Sequence, residues 1–184
     1  MNIINPYVMK LYHITEKEYE KGSKVSVESF VGATRYYDRL SEENKSIDDF
    51  LSAGRPDNEP SRKECIYAFD KPEYCYYYGR RQMTKAKKLH LYKCEMDCSL
   101  GHPMILVGYL SKKLSESQRR QIHSEYWNPT GDWYFLEYLS TKMDIIEEIT
   151  IDDDLESKIF AAGSNYADDY DEAKRLYPYD FTIK

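Results

Sequence analysis

No apolar run in this chain of 184 residues approaches the roughly 20 that a membrane-crossing helix needs. A transmembrane protein is therefore not expected. The opening residues, MNIINPY, carry no basic stretch leading into an apolar segment, so no export signal is read there and a cytoplasmic location is expected. Cysteine is sparse. Cys65, Cys75, Cys94 and Cys98 are the only four, and without export they are expected as reduced thiols rather than a disulfide framework. Internal repeats, Gly/Ser linkers and low-complexity blocks are missing too, and two full domains would be cramped at this length. One domain with one core is expected. What the chain does hold excludes disorder, since 41% of its residues are hydrophobic and 15% aromatic, despite 32% charged ones.

The formal net charge of −6 hides an uneven distribution. From Asp144 to Lys184 there are 12 acidic and 4 basic side chains, whereas residues 1–143 carry 22 basic against 20 acidic ones. Positive charge is concentrated at Gly79–His90 (GRRQMTKAKKLH), where Arg80, Arg81, Lys85, Lys87 and Lys88 meet no acid. Such a stretch has the charge to meet nucleic-acid phosphates. It also has the composition of a solvated helix end or loop, or of a surface covered by the acidic C-terminal quarter.

Hydrophobic alternation and punctuation residues set out a mixed order of strands and helices. Strands are expected at Val8–Thr15, Cys65–Phe69, Leu89–Met96, Met104–Leu110, Trp133–Leu139 and Ile145–Ile151. One helical turn is expected at Lys17–Gly22, and a helix at Ser41–Ser52 ahead of Gly54. A further helix starts with Asp70 as its cap, has Pro72 in its first turn and Glu73 in the capping-box position, and ends near Gly79 or in the basic stretch. Ser115-Glu116-Ser117-Gln118 is a second capping box, opening a helix towards Tyr126. The acidic region 152–184 reads as two helices, Asp153–Ala162 and Asp168–Leu176, separated at Gly163 and stopped by Pro178. Arg55–Arg62 (RPDNEPSR) has two prolines and no apolar residue, and reads as an exposed loop. No regular strand–helix–strand rhythm emerges, so the expected fold class is α+β, with a core at about 8–151.

Three segments carry residues suited to chemistry: Leu11-Tyr12-His13-Ile14-Thr15, Ile66-Tyr67-Ala68-Phe69-Asp70 with the tyrosine-rich helix after it, and Glu137-Tyr138-Leu139. Taken singly, each has a plain reading: a packed histidine, a half-buried strand tyrosine, a surface glutamate. Their order and spacing together resemble the ADP-ribosyltransferase superfamily, in the His-Tyr-Glu branch that holds poly(ADP-ribose) polymerases and rifampin ADP-ribosyltransferases. The family's first strand ends in a Tyr-His-x-Thr-like segment, matched by Tyr12, His13 and Thr15, with Ile14 where glycine is usual. Its second, Ile-Tyr-Phe-Ala-Asp-like strand is matched by Ile66–Asp70, and Tyr78, eleven positions after Tyr67, matches a second ring. Its third motif, a glutamate opening a strand, is matched by Glu137 and Leu139, with Ile145 and Ile146 further on. The resemblance spans about Leu11 to Ile149. Pro60-Ser61-Arg62 also resembles a Pro-Ser-Arg signature in a family of bacterial proteins.

The resemblance implies a split two-sheet core around an NAD cleft, with peripheral helices. NAD is the implied co-substrate, without a metal. The implied activity is mono-ADP-ribosyl transfer to a macromolecular acceptor, nucleic acid or protein, with release of nicotinamide. Breaking the N-glycosidic bond builds oxocarbenium character on the ribose, and a carboxylate at its 2′-hydroxyl stabilises that charge more than the ground state. Glu137 is implied in that role. Tyr67 and Tyr78 are implied to stack on nicotinamide, and His13, with Thr15, to hold the other ribose. Arg62 is a candidate pyrophosphate contact because its planar fork suits phosphate oxygens, with Arg35 and Arg39 as lesser candidates. Arginine-modifying relatives carry an acid two residues before the glutamate; here Phe135 stands there, so arginine is not the expected acceptor. Relatives of this kind act as bacterial or phage conflict toxins, which implies an antitoxin or inhibitor protein as partner.

Three other readings compete. His90, Cys94, Cys98 and His102 recur at every fourth position with zinc-ligand chemistry, but Leu89–Met96 reads as a strand and Gly101–Pro103 breaks any helix. Cys65 or Cys75 with His13 or His123 would make a Cys-His pair, though no glycine-framed nucleophile motif accompanies them. A catalytically degenerate module of the same fold would bind nucleic acid or a partner through Arg80–Lys88 and nearby tyrosines, which stack on unpaired bases.

Overall fold

A computed structural model describes residues 7–29 and 37–179, an α+β arrangement of a seven-stranded antiparallel sheet and five α-helices. Arg35 lies outside the described residues. The strands are β1 (Tyr7–Thr15), β2 (Lys24–Ser26), β3 (Ile66–Phe69), β4 (His90–Cys98), β5 (His102–Pro103), β6 (Leu136–Ser140) and β7 (Lys142–Ile149). Their order in the sheet is β2-β7-β4-β1-β3-β6-β5. β1 and β4 pair along their whole length, from Tyr7↔Cys98 to Thr15↔His90. β1 and β3 share a single pair, Tyr12↔Phe69. The sheet thus divides into a large half, β2-β7-β4-β1, and a small half, β3-β6-β5, joined at that pair. The chain crosses between the halves at Thr141, because β6 and β7 follow one another in sequence without pairing.

The helices are α1 (Glu42–Ser52), α2 (Pro72–Gln82), α3 (Met104–Tyr109), α4 (Glu116–Trp127) and α5 (Asp153–Leu176). α1 starts where the Ser41 hydroxyl accepts from the Asn44 N–H, and it buries Ile47 and Leu51. α4 opens on the expected capping box: Ser115 Oγ accepts from the Gln118 N–H, and Gln118 Oε1 from the Ser115 N–H. α2 lies so close on β1 that a Cβ at Gly79 would fall 2.4 Å from Ile14 Cδ1. No helix among the described residues is long and apolar enough to cross a membrane.

Several local expectations are corrected. Met104–Leu110 is not a strand but α3 and its cap. Its Met104, Ile105, Leu106 and Tyr109 are all buried, and a run that is apolar all round carries no period to tell helix from strand. The two expected C-terminal helices are one, α5. Gly163 does not break it, because the glycine serves close packing: a Cβ there would lie 3.2 Å from Tyr77 Cε2. Asp70 does not cap α2. Lys71 holds the cap position without a side-chain bond, and Asp70 Oδ1 is buried without a partner among the described residues. Lys17–Gly22 is not helical, since its backbone bonds outward: the Tyr19 N–H to Tyr92 Oη at 2.8 Å and the Gly22 N–H to the Ile145 carbonyl at 2.9 Å. Nor is Arg55–Arg62 wholly exposed, because Glu59 and Arg62 turn inward to buried partners.

Candidate functional site

Beyond Tyr12↔Phe69, β1 and β3 part. Continued pairing would set Ile14 opposite Tyr67. Instead the His13 imidazole replaces a main-chain donor, its Nδ1–H donating to the Tyr67 carbonyl at 2.8 Å. In the neutral ring that bond leaves Nε2 as an acceptor. Burial pushes the His13 pKa below its ordinary value, and the bond to Tyr67 offsets this only in part. The ring is therefore neutral near pH 7.

The parting opens on a cavity of ≈ 840 Å³, the size of a cofactor site. His13, Thr15, Arg62, Tyr67 and Tyr78 all line it. Tyr78 reaches it from α2, with its ring centroid 5.1 Å from that of Phe69. Thr15 Oγ1 accepts from the Lys17 N–H at 3.1 Å. Arg39 also lines the cavity, pairing with Glu16 at 3.5 Å.

Glu137 faces Phe69 in the β3–β6 ladder, two positions from the Tyr67↔Leu139 pair. It is only 2% exposed and does not line the cavity. Its Oε1 accepts from Tyr126 Oη of α4 at 2.7 Å and from Arg62 Nη1. Arg62, also 2% exposed, donates from Nε to Asp48 Oδ1 of α1 at 2.7 Å, and from Nη1 to Tyr126 Oη as well. Its guanidinium lies between two phenol rings, 5.1 Å from the Tyr67 centroid and 5.3 Å from that of Tyr126. Local chemistry turns it inward: Ser61 Oγ accepts from the Lys63 N–H, and Ser52 Oγ from the Arg62 N–H at 3.2 Å.

Burial alone would lower the Arg62 pKa, but the fields of Glu137, Tyr126, Tyr67 and Asp48 outweigh it and hold the group charged. Burial raises the pKa of Asp48, and Arg62 opposes this only in part. Two carboxylates on one buried guanidinium give up hydration worth several kcal/mol per ion. The expected role of Arg62 changes with this geometry. Its Nε and Nη1 are committed to internal partners, so it is not an open phosphate fork.

Asp48 and Tyr126 were not singled out by the sequence. A weak signal existed: Asp48 lies three and four residues before Leu51 and Ser52, on the buried face of α1, and Tyr126 lies four after buried Ile122.

The basic stretch divides in two. Arg80 pairs with Glu156 of α5 at 3.0 Å, and Arg81 stacks over Tyr77 and Tyr166, at 5.4 and 5.1 Å from their centroids. The acidic C-terminal helix therefore pairs with the first part, although both arginines stay exposed. Lys85, Lys87 and Lys88 follow α2 exposed and without an ion pair among the described residues. Gln82 and Met83, where that loop begins, line the cavity.

The competing chemistries find little support in the geometry. His90 Nδ1 meets Glu148 at 2.8 Å, and His102 is held between the Tyr126 carbonyl (3.0 Å) and Glu59 (3.3 Å). Among the described residues no group of three or more His, Cys, Asp or Glu is placed to hold a metal. Burial pushes the Cys65 thiol up to about 12 and the Cys75 thiol well above its ordinary value, the opposite of an activated nucleophile. Phe135 is walled into an aromatic cluster, stacked on Tyr74 at 4.1 Å. No family model matches the chain, and no curated protein matches it.

Proposed function

We propose that the protein has the ADP-ribosyltransferase fold and is a mono-ADP-ribosyltransferase, taking ADP-ribose from NAD and releasing nicotinamide. The observation that carries this reading is the His13–Tyr67 couple at the parting of the sheet, opening on a cavity that Thr15 and Tyr78 also line. A neutral imidazole with Nε2 as acceptor suits a ribose hydroxyl, and two phenol rings on one cavity suit nicotinamide. In this reading Glu137 meets the 2′-hydroxyl of the nicotinamide ribose and stabilises the cation as the glycosidic bond breaks. The bonding pair leaves with nicotinamide, which departs neutral. A nucleophilic atom of the acceptor then bonds to the ribose C1′ and gives up its proton.

Nicotinamide release by wild type and Glu137→Gln tests the reading. The expected result is release by wild type and at least about 100-fold less by the variant, with NAD still bound. Equal rates would remove Glu137 from the chemistry. The burial of Glu137 behind Arg62 favours a second reading, a module of the same fold that binds NAD or nucleic acid without reaction. NAD binding without release by either protein would select it. Digesting product labelled from NAD in a cell extract with nuclease or protease identifies the acceptor class. A conflict-toxin role with a neutralising partner is part of the same proposal. Growth arrest on expression of wild type, absent with Glu137→Gln, is its test.

A further inference from the structure

We infer that a single strand of nucleic acid docks across the mouth of the cavity, held by lysines of the loop after α2 and of the cavity lining; the docking does not depend on the transferase reading, within which the docked strand becomes the acceptor. Thr15 pairs with His90 at the end of the β1–β4 ladder. Lys17, two residues after Thr15, and Lys88, two residues before His90, therefore leave the same end of that ladder. Lys17 lines the cavity, as do Gln82 and Met83 where the loop begins. A turn shapes the loop, its Ala86 N–H donating to the Met83 carbonyl at 3.0 Å. Met83 and Leu89 pack on the cluster that holds Ile14, Phe69 and Leu91. Pinned by these two apolar side chains, the loop turns Lys85, Lys87 and Lys88 to solvent. Lys142 lines the cavity from the start of β7, paired in the ladder with Ser26. Neither Lys17 nor Lys142 has an ion pair among the described residues. Among the lining and flanking acids, Glu16 is committed to Arg39 and Glu148 to His90. Glu18, Glu28 and Glu64 are then set against five lysines, and the mouth keeps a positive balance.

Lysine is a flexible point charge that suits phosphate without fixing its orientation. The loop alone would serve any phosphate backbone, a duplex included. Lys17 and Lys142 would not, because they stand on the wall of a concavity that a base-paired helix is too wide to enter. A single strand bends into it and sets phosphates on the loop and the lining together. Tyr19, on the same wall, is a ring within reach of an unstacked base, and charge beside an aromatic ring is the composition of single-strand sites. An acidic protein would meet the same lysines, but protein interfaces take their affinity from buried aromatic and apolar anchors. The exposed large hydrophobic side chains, Tyr7, Val8, Tyr134, Phe160 and Leu176, are absent from both the lining and the loop. Phosphates and bases are common to RNA and DNA, so strands of either kind are expected to bind.

The test is fluorescence anisotropy of the full chain with labelled oligothymidine and oligouridine of about 12 nucleotides, a duplex of the same length, and polyglutamate. Wild type is expected to bind the two strands within about threefold of one another, and the duplex and the peptide at least about tenfold more weakly. Lys17→Gln with Lys142→Gln removes two phosphate contacts. Strand affinity should fall about tenfold and the logarithmic salt slope by about 1.4, with the weak duplex binding of the loop unchanged. Both side chains are exposed, so the double variant is expected to melt with wild type. A strand carrying 5-iodouridine should crosslink at Tyr19 or within residues 83–88, as mapped by mass spectrometry. Duplex or polyglutamate bound as tightly as the strand, a double variant that binds like wild type, or crosslinks confined to other surfaces each overturn the inference. So does failure of wild type to bind any strand, and nicotinamide release by wild type would then still uphold the transferase reading.

Discussion

His13 Nδ1 lies 2.8 Å from the Tyr67 carbonyl at the point where β1 and β3 part, so a side chain closes a ladder that the backbone leaves open. The same bond fixes which ring nitrogen faces the cavity, tying the geometry of the sheet to the chemistry of the candidate site.

That relationship has a pH signature. Burial lowers the His13 pKa, so the unfolded chain takes up its proton first, at about 6.5. The stability His13 contributes is complete above that value and falls as pH drops from it towards the lowered native pKa. Asp48, Asp70 and Asp169, whose pKa values burial raises, act with the opposite sign, their contribution growing as pH falls. The difference between wild type and His13→Gln is therefore the quantity to measure. Melting temperatures from pH 7.5 to 5 should fall more steeply for wild type, and parallel curves would assign the titration elsewhere.

Gly79 and Ile14 form a matched pair. Alanine is the better helix former by about 1 kcal/mol, but a Cβ at Gly79 would overlap the Ile14 side chain, so Gly79→Ala is expected to destabilise by about 1–3 kcal/mol. Ile14→Val removes the Cδ1 atom at 2.4 Å and should reduce that loss. A double-mutant cycle in urea checks this, and additive effects would refute the contact.

What was legible in the sequence was local. Ser41 and Ser115 announce their helices because a cap needs only neighbours three residues away. β1 shows because apolar and aromatic residues predominate from Val8 to Ile14. Met104–Leu110 does not show as a helix because its exposed position is a glycine and the rest of the run is apolar, so no polar face gives a period. At the site, His13, Thr15, Tyr67 and Tyr78 could be nominated from motifs, and the fold brings them to one cavity. The packing around Glu137 could not, since Tyr126 reaches it from α4 and Asp48 reaches its partner Arg62 from α1. Nor could Asp169, whose carboxylate accepts from the Tyr134 and Phe135 N–H groups at 2.9 and 2.8 Å ahead of β6. Such contacts depend on how elements pack, and no local spacing encodes them.

The thiols should be inert in the folded protein. Burial pushes Cys65, Cys94 and Cys98 up to about 12 and Cys75 well above its ordinary value, and only the thiolate reacts rapidly. Iodoacetamide at pH 8 is expected to label the native chain far more slowly than the same chain in urea, where all four sites become modified. Rapid native labelling of Cys65 would revive a nucleophilic role for it.

The divided basic stretch separates binding from stability. Lys85, Lys87 and Lys88 are exposed and carry no ion pair among the described residues, so reversing all three to glutamate should leave the melting temperature unchanged. Arg80→Ala, which removes one partly exposed ion pair between α2 and α5, is the variant expected to lower it slightly. If nucleic acid approaches the cavity over the loop that begins at Met83, the triple variant should lose affinity for a single-stranded oligonucleotide. Each lost phosphate contact takes about 0.7 from the salt slope, so the logarithmic dependence of affinity on salt should shrink by about 2. Fluorescence anisotropy across a salt series reads both quantities. Binding and slope unchanged in the triple variant would move any nucleic-acid surface away from this loop and make a protein the favoured acceptor.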